Sequence, residues 1–260
     1  MIKAERQNKI TEMLQDEKKI SVKALSKALG VSEVTIRIDL EQLENKGVLY
    51  RTHGGASLVP KKEISDKGQN QIQEMLFGEY LKYDEHKERI GKLAAGLVQE
   101  GEWIFIGQGS TCYFVAKELV AKDNLNVLTN NLCVAAVLAQ NPKSKVVVTG
   151  GSLIHQHMFL AGDMLLRSLE NIFISKAFMG VSGIDFKGGF TVSNDAELRV
   201  YDRIKNITQE LIIVADTSKF GKPTFISIGE LSMPDIVITD GKLEKEYLEY
   251  FSENRVKVLY

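Results

Sequence analysis

Short apolar segments alternate with helical segments from His86 to the end of the chain, and this alternation restricts the fold more than any other sequence feature. The segments that we predict as strands are Trp103–Ile106, Val127–Thr129, Val146–Thr149, Ala177–Val181, Leu211–Ala215, Ile236–Thr239 and Val256–Leu259. The predicted helices are His86–Gln99, Cys112–Val120, Leu132–Gln140, Ala196–Thr208 and Leu243–Phe251. Such alternation is typical of a mostly parallel, doubly wound α/β sheet, which binds ligands beyond the carboxyl ends of its strands.

The loop after the first predicted strand has residues that suit a phosphate group. It consists of Gly107, Gln108, Gly109, Ser110 and Thr111, and a helix follows it directly. Glycines let the backbone approach a phosphate, while hydroxyl groups and helix N-terminal amides donate hydrogen bonds to it. The loop lacks the lysine of a Walker A motif and the third glycine of a dinucleotide fingerprint, so we predict no cofactor. The alternative is an ordinary tight turn.

Later strand ends add glycines, amides and two charged side chains. The residues that complete the candidate ligand site are Asn130, Asn131, Gly150, Gly151, Asp185 and Lys219. Lys219 can neutralise phosphate charge, whereas Asp185 and the asparagines can bond hydroxyl groups. The strand ends therefore predict a site for a hydroxylated, anionic ligand.

The first sixty residues predict three short helices. A helix over about Lys3–Glu17 is followed by one that has Ser21 at its N-cap and ends at Gly30. Ser32 caps the third helix, which ends at Gly47. Two short helices joined by a tight glycine-centred turn form a helix-turn-helix, whose second helix enters the major groove of DNA.

The helical spacing also predicts which face of the third helix reads bases. Ile36, Leu40 and Leu43 share the inward face, and the outward face carries Ser32, Val34, Thr35, Arg37, Ile38 and Glu41. Arg37 can pair with guanine or phosphate, and Ile38 can contact a thymine methyl group. The alternative is a plain three-helix bundle with one isoleucine exposed by chance.

After Gly47 the pattern changes to a predicted hairpin with strands Val48–Thr52 and Ala56–Val59. A hairpin that follows a recognition helix is a wing, whose residues can meet phosphate oxygens or the minor groove. The predicted DNA-binding residues are Ser21, Ser32, Val34, Thr35, Arg37, Ile38, Arg51, Thr52 and His53.

Charge and composition agree with a DNA-binding head. Residues 1–62 contain 12 Lys and Arg against 8 Asp and Glu, a net charge of +4, whereas residues 63–260 contain 21 against 26, a net of -5. We predict a DNA-binding domain at residues 1–60, a polar linker at 61–84 with a helical piece near 72–82, and a ligand-binding and oligomerisation domain at 85–260.

Cysteine, histidine and apolar patterns point to no other class. Cys112 and Cys133 lack metal or disulfide spacing, so we expect buried free thiols. His155 and His157 are poorly spaced for one metal ion and more typical of a solvated loop; the alternative, since they follow the Gly150–Gly151 turn, is that they line the ligand site. No segment approaches the ~20 apolar residues of a membrane helix, and the charged amino terminus lacks a signal core. We therefore expect a cytoplasmic protein that binds no metal and no membrane.

The N-terminal segments Val31–Leu40, Leu43–Gly47 and Arg51–Ala56 closely resemble the DeoR family of transcription regulators. The loops around Asn130, Gly150, Asp185 and Lys219 resemble the effector-binding domain of that family and, through it, the fold of ribose-5-phosphate isomerase. The resemblance implies two ligands, a double-stranded DNA operator and a phosphorylated sugar effector. We also expect a homo-oligomer, either a dimer or a tetramer.

Two departures from the family pattern affect specificity. Ile38 stands where members commonly have a second arginine, so relatives do not predict the operator. Gly107 and Gln108 stand where relatives often have Asp-Ser, and the loss of the acidic partner predicts a different preferred sugar.

We predict a repressor of a sugar-metabolism operon whose operator affinity depends on the effector. The alternative is a sugar-phosphate isomerase or deaminase with an added DNA-binding domain. Its acid–base groups would be Asp185, Glu197 and Lys219.

Overall fold

A computed structural model describes residues 3–17, 19–45, 49–52, 55–58, 78, 82–155 and 157–260. The chain divides into two compact units, Met1–Met75 and Leu76–Tyr260. Most of the predicted linker, including all but residues 78 and 82 of the predicted helical piece near 72–82, lies outside the described residues.

The described part of the N-terminal unit contains three helices and a small antiparallel sheet. The helices are α1 (Lys3–Glu17), α2 (Val22–Leu29) and α3 (Glu33–Asn45). The strands are β1 (Lys19–Ser21), β2 (Leu49–Thr52) and β3 (Gly55–Leu58), in the order β1-β3-β2. The three predicted helices and the two hairpin strands are confirmed. Strand β1 was not predicted, because it holds one apolar residue and forms through pairing with β3.

One apolar cluster holds this unit together. Ile10 and Leu14 of α1 pack with Leu25 of α2 and with the inward face of α3. Ile36 and Leu40 are at most 1% exposed, which confirms the predicted inward face. Burial of large aliphatic side chains stabilises a fold by about 1.5–3 kcal/mol each, so these contacts fix where α3 lies.

The described residues of the larger unit form a seven-stranded sheet. Its strands are β4 (Trp103–Ile106), β5 (Asn126–Thr129), β6 (Lys145–Val148), β9 (Ile174–Gly180), β12 (Thr208–Val214), β14 (Ile236–Ile238) and β15 (Lys257–Leu259). The order in the sheet is β15-β14-β12-β9-β4-β5-β6, and every neighbouring pair is parallel. All seven predicted strands lie in this sheet, which confirms the predicted doubly wound α/β architecture.

Helices cover both faces of the sheet. They are α4 (Glu85–Gly96), α5 (Ser110–Leu119), α6 (Leu132–Leu138), α7 (Asp163–Ser168), α8 (Asp195–Ile207) and α9 (Lys245–Glu253). Phe105 joins the apolar cluster on one face, and its neighbours Ile104 and Ile106 join the cluster on the other. Successive side chains of a strand point to opposite faces, so continuous apolar strands such as β4 need helices on both sides.

Two smaller sheets were not predicted. Strands β7 (Ser152–Ile154) and β8 (Phe159–Ala161) form a hairpin, and β10 (Gly183–Asp185), β11 (Gly189–Val192) and β13 (Ile226–Gly229) form a second small sheet. Helix α7 was also missed.

The chain order of the large sheet reverses at its centre. From β4 the chain runs outward through β5 to β6, and it then returns to the other side of β4 to form β9. The loops after β4 and β9 therefore lead in opposite directions along the sheet. This topological switch point is the usual place for a ligand in an open parallel sheet.

Cys112 and Cys133 are free and buried, as predicted, and burial raises the pKa of both thiols to about 12. Among the helices of the described ranges, none is long and apolar enough to cross a membrane.

Candidate DNA-reading helix and ligand cavity

The turn between α2 and α3 is fixed by Gly30. Its φ of 67° lies in the left-handed region, and its N–H donates to the carbonyl of Ser26 at 3.0 Å. The N–H of Val31 donates to the same carbonyl, and the Ser26 hydroxyl donates back to the Val31 carbonyl at 2.6 Å. Because a side chain is costly at this φ, glycine sets the angle between the two helices.

Both helices begin at serine caps. The Ser21 hydroxyl accepts from the N–H of Ala24 at 3.1 Å, and the Ser32 hydroxyl accepts from the N–H of Thr35 at 3.2 Å. Ser32 also shares a 2.9 Å contact with the Thr35 hydroxyl. These predicted DNA-binding residues therefore have a structural role in helix initiation, and both serines are exposed.

The outward face of α3 carries an unusual apolar pair. Val34 is 66% exposed and Ile38 is 49% exposed, so neither packs into the core of the unit. Arg37 lies between them in sequence, is exposed, and has its Nη2 4.0 Å from the Glu33 carboxylate. The helix thus offers a cation and two aliphatic groups on one surface, a set that suits base edges and thymine methyl groups.

Strand β2 holds two of the predicted wing residues, Arg51 and Thr52, opposite Ala56 and Gly55 of β3. His53 lies outside the described residues.

The larger unit has a cavity of about 180 Å³ at the switch point of the sheet. It is lined by Gln108, Gly109, Ser110, Thr111, His157, Gly180, Val181, Ser182, Glu197 and Lys219. Five of the predicted ligand-site residues meet there, although they come from two loops that are separated by about a hundred positions in the chain.

The loop after β4 turns directly into α5. Gly109 is the N-cap of this ten-residue helix, with a φ of 102° that a side chain would strain. Ser110 and Thr111 are the first two helical residues and line the cavity. The first amides of a helix lack partners within it and attract anions, so this end of the cavity suits a phosphate.

Lys219 brings a positive charge to the cavity from the short 3-10 turn Thr217–Lys219. Asp240 holds this turn, because its carboxylate accepts from the N–H of Thr217 at 2.6 Å. The other carboxylate oxygen lies 2.7 Å from Nδ1 of His86, at the start of α4. Burial raises the pKa of Asp240, but the Thr217 and His86 hydrogen bonds outweigh it and the net pKa is lowered.

Glu197 is the acidic group of the cavity and is only 6% exposed. The Gln108 amide donates to its Oε2 at 2.8 Å. Burial raises the pKa of Glu197. The Gln108 hydrogen bond, His157 and the Asn194 backbone lower it by less, so the net pKa is raised. A buried carboxylate at the edge of a cavity is typical of a functional site rather than of a stabilising contact.

Other predicted ligand-site residues have structural roles outside the lining set. Asn131 caps α6 by accepting from Cys133 and Val134, and Asp185 accepts from the N–H of Gly188 at 2.6 Å. The N–H of Gly107 donates to the Phe178 carbonyl beneath the loop.

The remaining members of that set bind their own neighbours. Asn130 lies behind Gln108 and donates to the Leu160 carbonyl at 3.1 Å. Gly150 donates to the hydroxyl of Ser168 at 3.0 Å, and Gly151 packs against the backbone of Ala161.

Sequence reasoning missed several lining residues. His157, for which a solvated loop was favoured over the ligand site, lines the cavity, and so do Gly180 at the end of β9 and Val181 and Ser182 after it. The position of Ser182 after the strand beside β4 was a usable signal. The signal for His157 was its position after the Gly150–Gly151 turn, although the hairpin of β7 and β8 that carries it was not predicted. Across the described ranges, no three His, Cys, Asp or Glu side chains are grouped to hold a metal ion.

Comparison with known proteins gives matches along the whole chain. The family model of the DeoR-like helix-turn-helix domain matches residues 6–62, and that of the DeoR C-terminal sensor domain matches residues 82–241. The HTH-type transcriptional regulator GolR of Listeria innocua is 34% identical over 97% of this chain and 96% of its own length.

The glycerol-3-phosphate regulon repressor of Escherichia coli is 28% identical over 99% of both chains. Among solved structures, ribose 5-phosphate isomerase A of Neisseria gonorrhoeae is similar at 20% identity and a TM-score of 0.39, over 53% of this chain and 54% of its own.

The fold, the serine-capped helix α3 and the relatives together define a winged helix-turn-helix transcription regulator. The chain belongs to the DeoR family, and both of its domains match the corresponding family models. The full-length relatives are regulators, which decides against the isomerase or deaminase alternative. Of the three acid–base groups in that alternative, Glu197 and Lys219 line the cavity, whereas Asp185 is absent from the lining residues that the structure describes.

Proposed function

We propose that this protein represses a sugar-metabolism operon and that a phosphorylated sugar, bound in the cavity at the switch point, changes its affinity for the operator. The observation that carries the proposal is the meeting of the α5 N-terminus, Lys219 and Glu197 around one small cavity. An anion-binding helix end with a lysine suits a phosphate, and a carboxylate beside it suits a hydroxyl group.

The exposed face of α3 supplies the DNA contacts. Arg37 pairs with guanine or with a phosphate, and Val34 and Ile38 contact thymine methyl groups in the major groove. Residues 51–53 of the wing meet the DNA backbone or the minor groove.

The Escherichia coli relative, a glycerol-3-phosphate regulon repressor, supports the chemical class of the effector. Its name contains a phosphorylated three-carbon polyol, a ligand with one phosphate and free hydroxyl groups. We extend that class, and not the individual compound, to this chain.

We further propose that the active form is a homo-oligomer, a dimer or a tetramer. Helix-turn-helix proteins commonly bind as symmetric pairs to two half-sites about one helical turn apart. The net charge of -5 on residues 63–260 disfavours DNA contact by the larger domain and leaves it to carry assembly and ligand binding.

The test uses the full-length protein and DNA that it selects from a random-sequence pool. Binding to that DNA is measured at one fixed salt concentration, with and without a panel of sugar phosphates. A ligand shifts the equilibrium only if its affinities for the two states differ, so at least one sugar phosphate must change the operator Kd. The proposal would be contradicted if inorganic phosphate binds the protein but no phosphorylated sugar changes the operator Kd.

A further inference from the structure

Gln108 and Glu197 form a buried polar wall of the cavity, and they come from two different elements. Gln108 belongs to the loop after β4, and Glu197 belongs to the first turn of α8. They are 3% and 6% exposed, and a 2.8 Å hydrogen bond joins the Gln108 amide to the Glu197 carboxylate. Both also line the cavity, so this wall faces whatever occupies it.

The orientation of the Gln108 amide is set from behind. Asn130 is fully buried, donates to the Leu160 carbonyl at 3.1 Å, and points its amide at Oε1 of Gln108 at 3.4 Å. With Oε1 facing a donor, Nε2 faces the carboxylate of Glu197. The chain Asn130–Gln108–Glu197 therefore fixes one oxygen of Glu197 and leaves further acceptor positions, because a carboxylate offers about four.

Fold stability does not explain a carboxylate at this position. A neutral side chain of similar shape would bury at lower cost than a carboxylate, even one stabilised by the Gln108 amide, His157 and the Asn194 backbone. Glu197 does occupy the third position after the Asn194 cap, where glutamate can bond back to the cap, but such a role does not require a cavity.

The cavity is small and partly open to solvent. Its volume of about 180 Å³ is close to the ~150 Å³ of an engineered protein cavity that holds benzene, and below the ~300 Å³ at which pockets for drug-sized ligands begin. The side chain of Gln108 occupies part of this wall, so a smaller residue there would enlarge the space beside Glu197.

We propose that Gln108 and Glu197 determine which phosphorylated sugar binds: Glu197 accepts a hydrogen bond from a hydroxyl group of the ligand, and Gln108 restricts the ligand to a short carbon chain. This inference rests on the proposed function, which places the phosphate at Ser110, Thr111 and Lys219. Gln108 has a positioning role as well, since it holds the carboxylate.

The hydroxyl test compares two ligands of equal length, glycerol 3-phosphate and propyl phosphate, on full-length protein by calorimetry. The measured quantity is the Kd of propyl phosphate divided by the Kd of glycerol 3-phosphate. Any general loss of phosphate affinity cancels in this ratio. In Glu197→Gln this ratio should fall at least roughly tenfold, as expected when a hydrogen bond to a charged acceptor is lost. The control Glu253→Gln makes the same change at an exposed position of α9 and should keep the wild-type ratio.

The length test compares glycerol 3-phosphate with glucose 6-phosphate on wild type and Gln108→Ser. Wild type should prefer the shorter ligand, and the serine variant should move that preference at least severalfold towards the longer one. Glu197→Asp serves as a second variant if the glutamine variant does not fold, and it too should lower the hydroxyl ratio because the shortened carboxylate loses Gln108.

The outcomes separate the two proposals. A wild-type hydroxyl ratio in both Glu197 variants would overturn the role of Glu197, and an unchanged length preference in Gln108→Ser would overturn that of Gln108. If inorganic phosphate binds wild type but glycerol 3-phosphate binds no more tightly than propyl phosphate, this inference is wrong and the anion site remains. If neither inorganic phosphate nor any of these esters binds wild type, the proposed effector site itself is wrong.

Discussion

Arg6 and Asp39 join α1 to the reading helix: the guanidinium donates from Nε to one carboxylate oxygen at 2.5 Å and from Nη2 to the other at 3.2 Å. Asp39 is 1% exposed and also accepts from the Gln7 amide, which in turn donates to Gln42 at 2.9 Å. A two-pronged pairing of this kind fixes direction as well as distance. Helix α1 therefore orients α3, whose outward face we propose as the DNA-contacting surface.

Replacement of Asp39 by alanine should destabilise the N-terminal unit and weaken all DNA binding together. Loss of a buried acceptor costs about 1–3 kcal/mol, here through the buried Gln7 amide. Thermal unfolding and binding to operator and random DNA should fall in parallel, whereas Asp39→Asn should lose less. Selective loss of operator binding at unchanged stability would instead mean that Asp39 contacts bases.

Arg37→Ala and Ile38→Ala should weaken DNA binding in different ways. If Arg37 reads a guanine, its loss costs about 1–3 kcal/mol and relaxes selectivity at that base pair. If it holds a phosphate, binding weakens on all sequences and the slope of log K against log salt falls by roughly one. Ile38→Ala should act only at a thymine-containing position and keep the slope.

The matched control for these variants is Lys9→Ala, which removes an exposed cation from α1. Wild-type affinity in both α3 variants would show that another face of the helix meets DNA.

Lys219→Ala should produce a repressor that no longer responds to its effector. The lysine supplies the countercharge for the phosphate, so its loss should raise the effector Kd by at least roughly tenfold, the size of a lost charged hydrogen bond. Operator affinity with and without sugar phosphate is measured beside Lys222→Ala, which removes an exposed lysine from the same segment. A variant that releases DNA at the wild-type effector concentration would move the phosphate site elsewhere.

Glu197 should make the unliganded protein less stable as pH rises. Its folded pKa is raised, so its contribution to stability is fully present below the unfolded value of 4.5 and is lost as pH rises through the folded pKa. Glu197→Gln lacks this dependence, and its Tm relative to wild type should therefore increase over that window. Thermal unfolding across pH tests this, with Glu253→Gln as the control, and parallel curves for wild type and Glu197→Gln would contradict it.

The central sheet could be predicted because its strands are continuous apolar runs, as in β4 and β12, which only a sheet covered on both faces accommodates. Strand β1 and the glycine-flanked strand β11 carry too few apolar residues to show a pattern. The partner of β1 and the second partner of β11, strand β13, lie far along the chain, and these tertiary contacts decide the structure.

The candidate site was predictable to the extent that strand ends locate it. The loop from Gln108 to Thr111 and Lys219 follow strands that meet at the switch point. Asn131 and Asp185 follow strands as well, but short polar side chains there can bond their own backbone instead of a ligand, and sequence does not distinguish the two uses. For His157 the position after the Gly150–Gly151 turn left both a solvated loop and the ligand site open, because the hairpin of β7 and β8 that decides between them was not predicted.

The two faces of α3 have different roles. Ile36, Leu40 and Asp39 hold the helix in its unit, while Arg37 and Ile38 on the outward side contribute nothing to the core. Substitutions on the outward side are therefore nearly neutral for folding, since surface changes away from packed or paired groups usually alter stability by less than ~0.5 kcal/mol. Evolution can retarget such a regulator to new promoters through a handful of codons, without first finding compensating mutations in the scaffold.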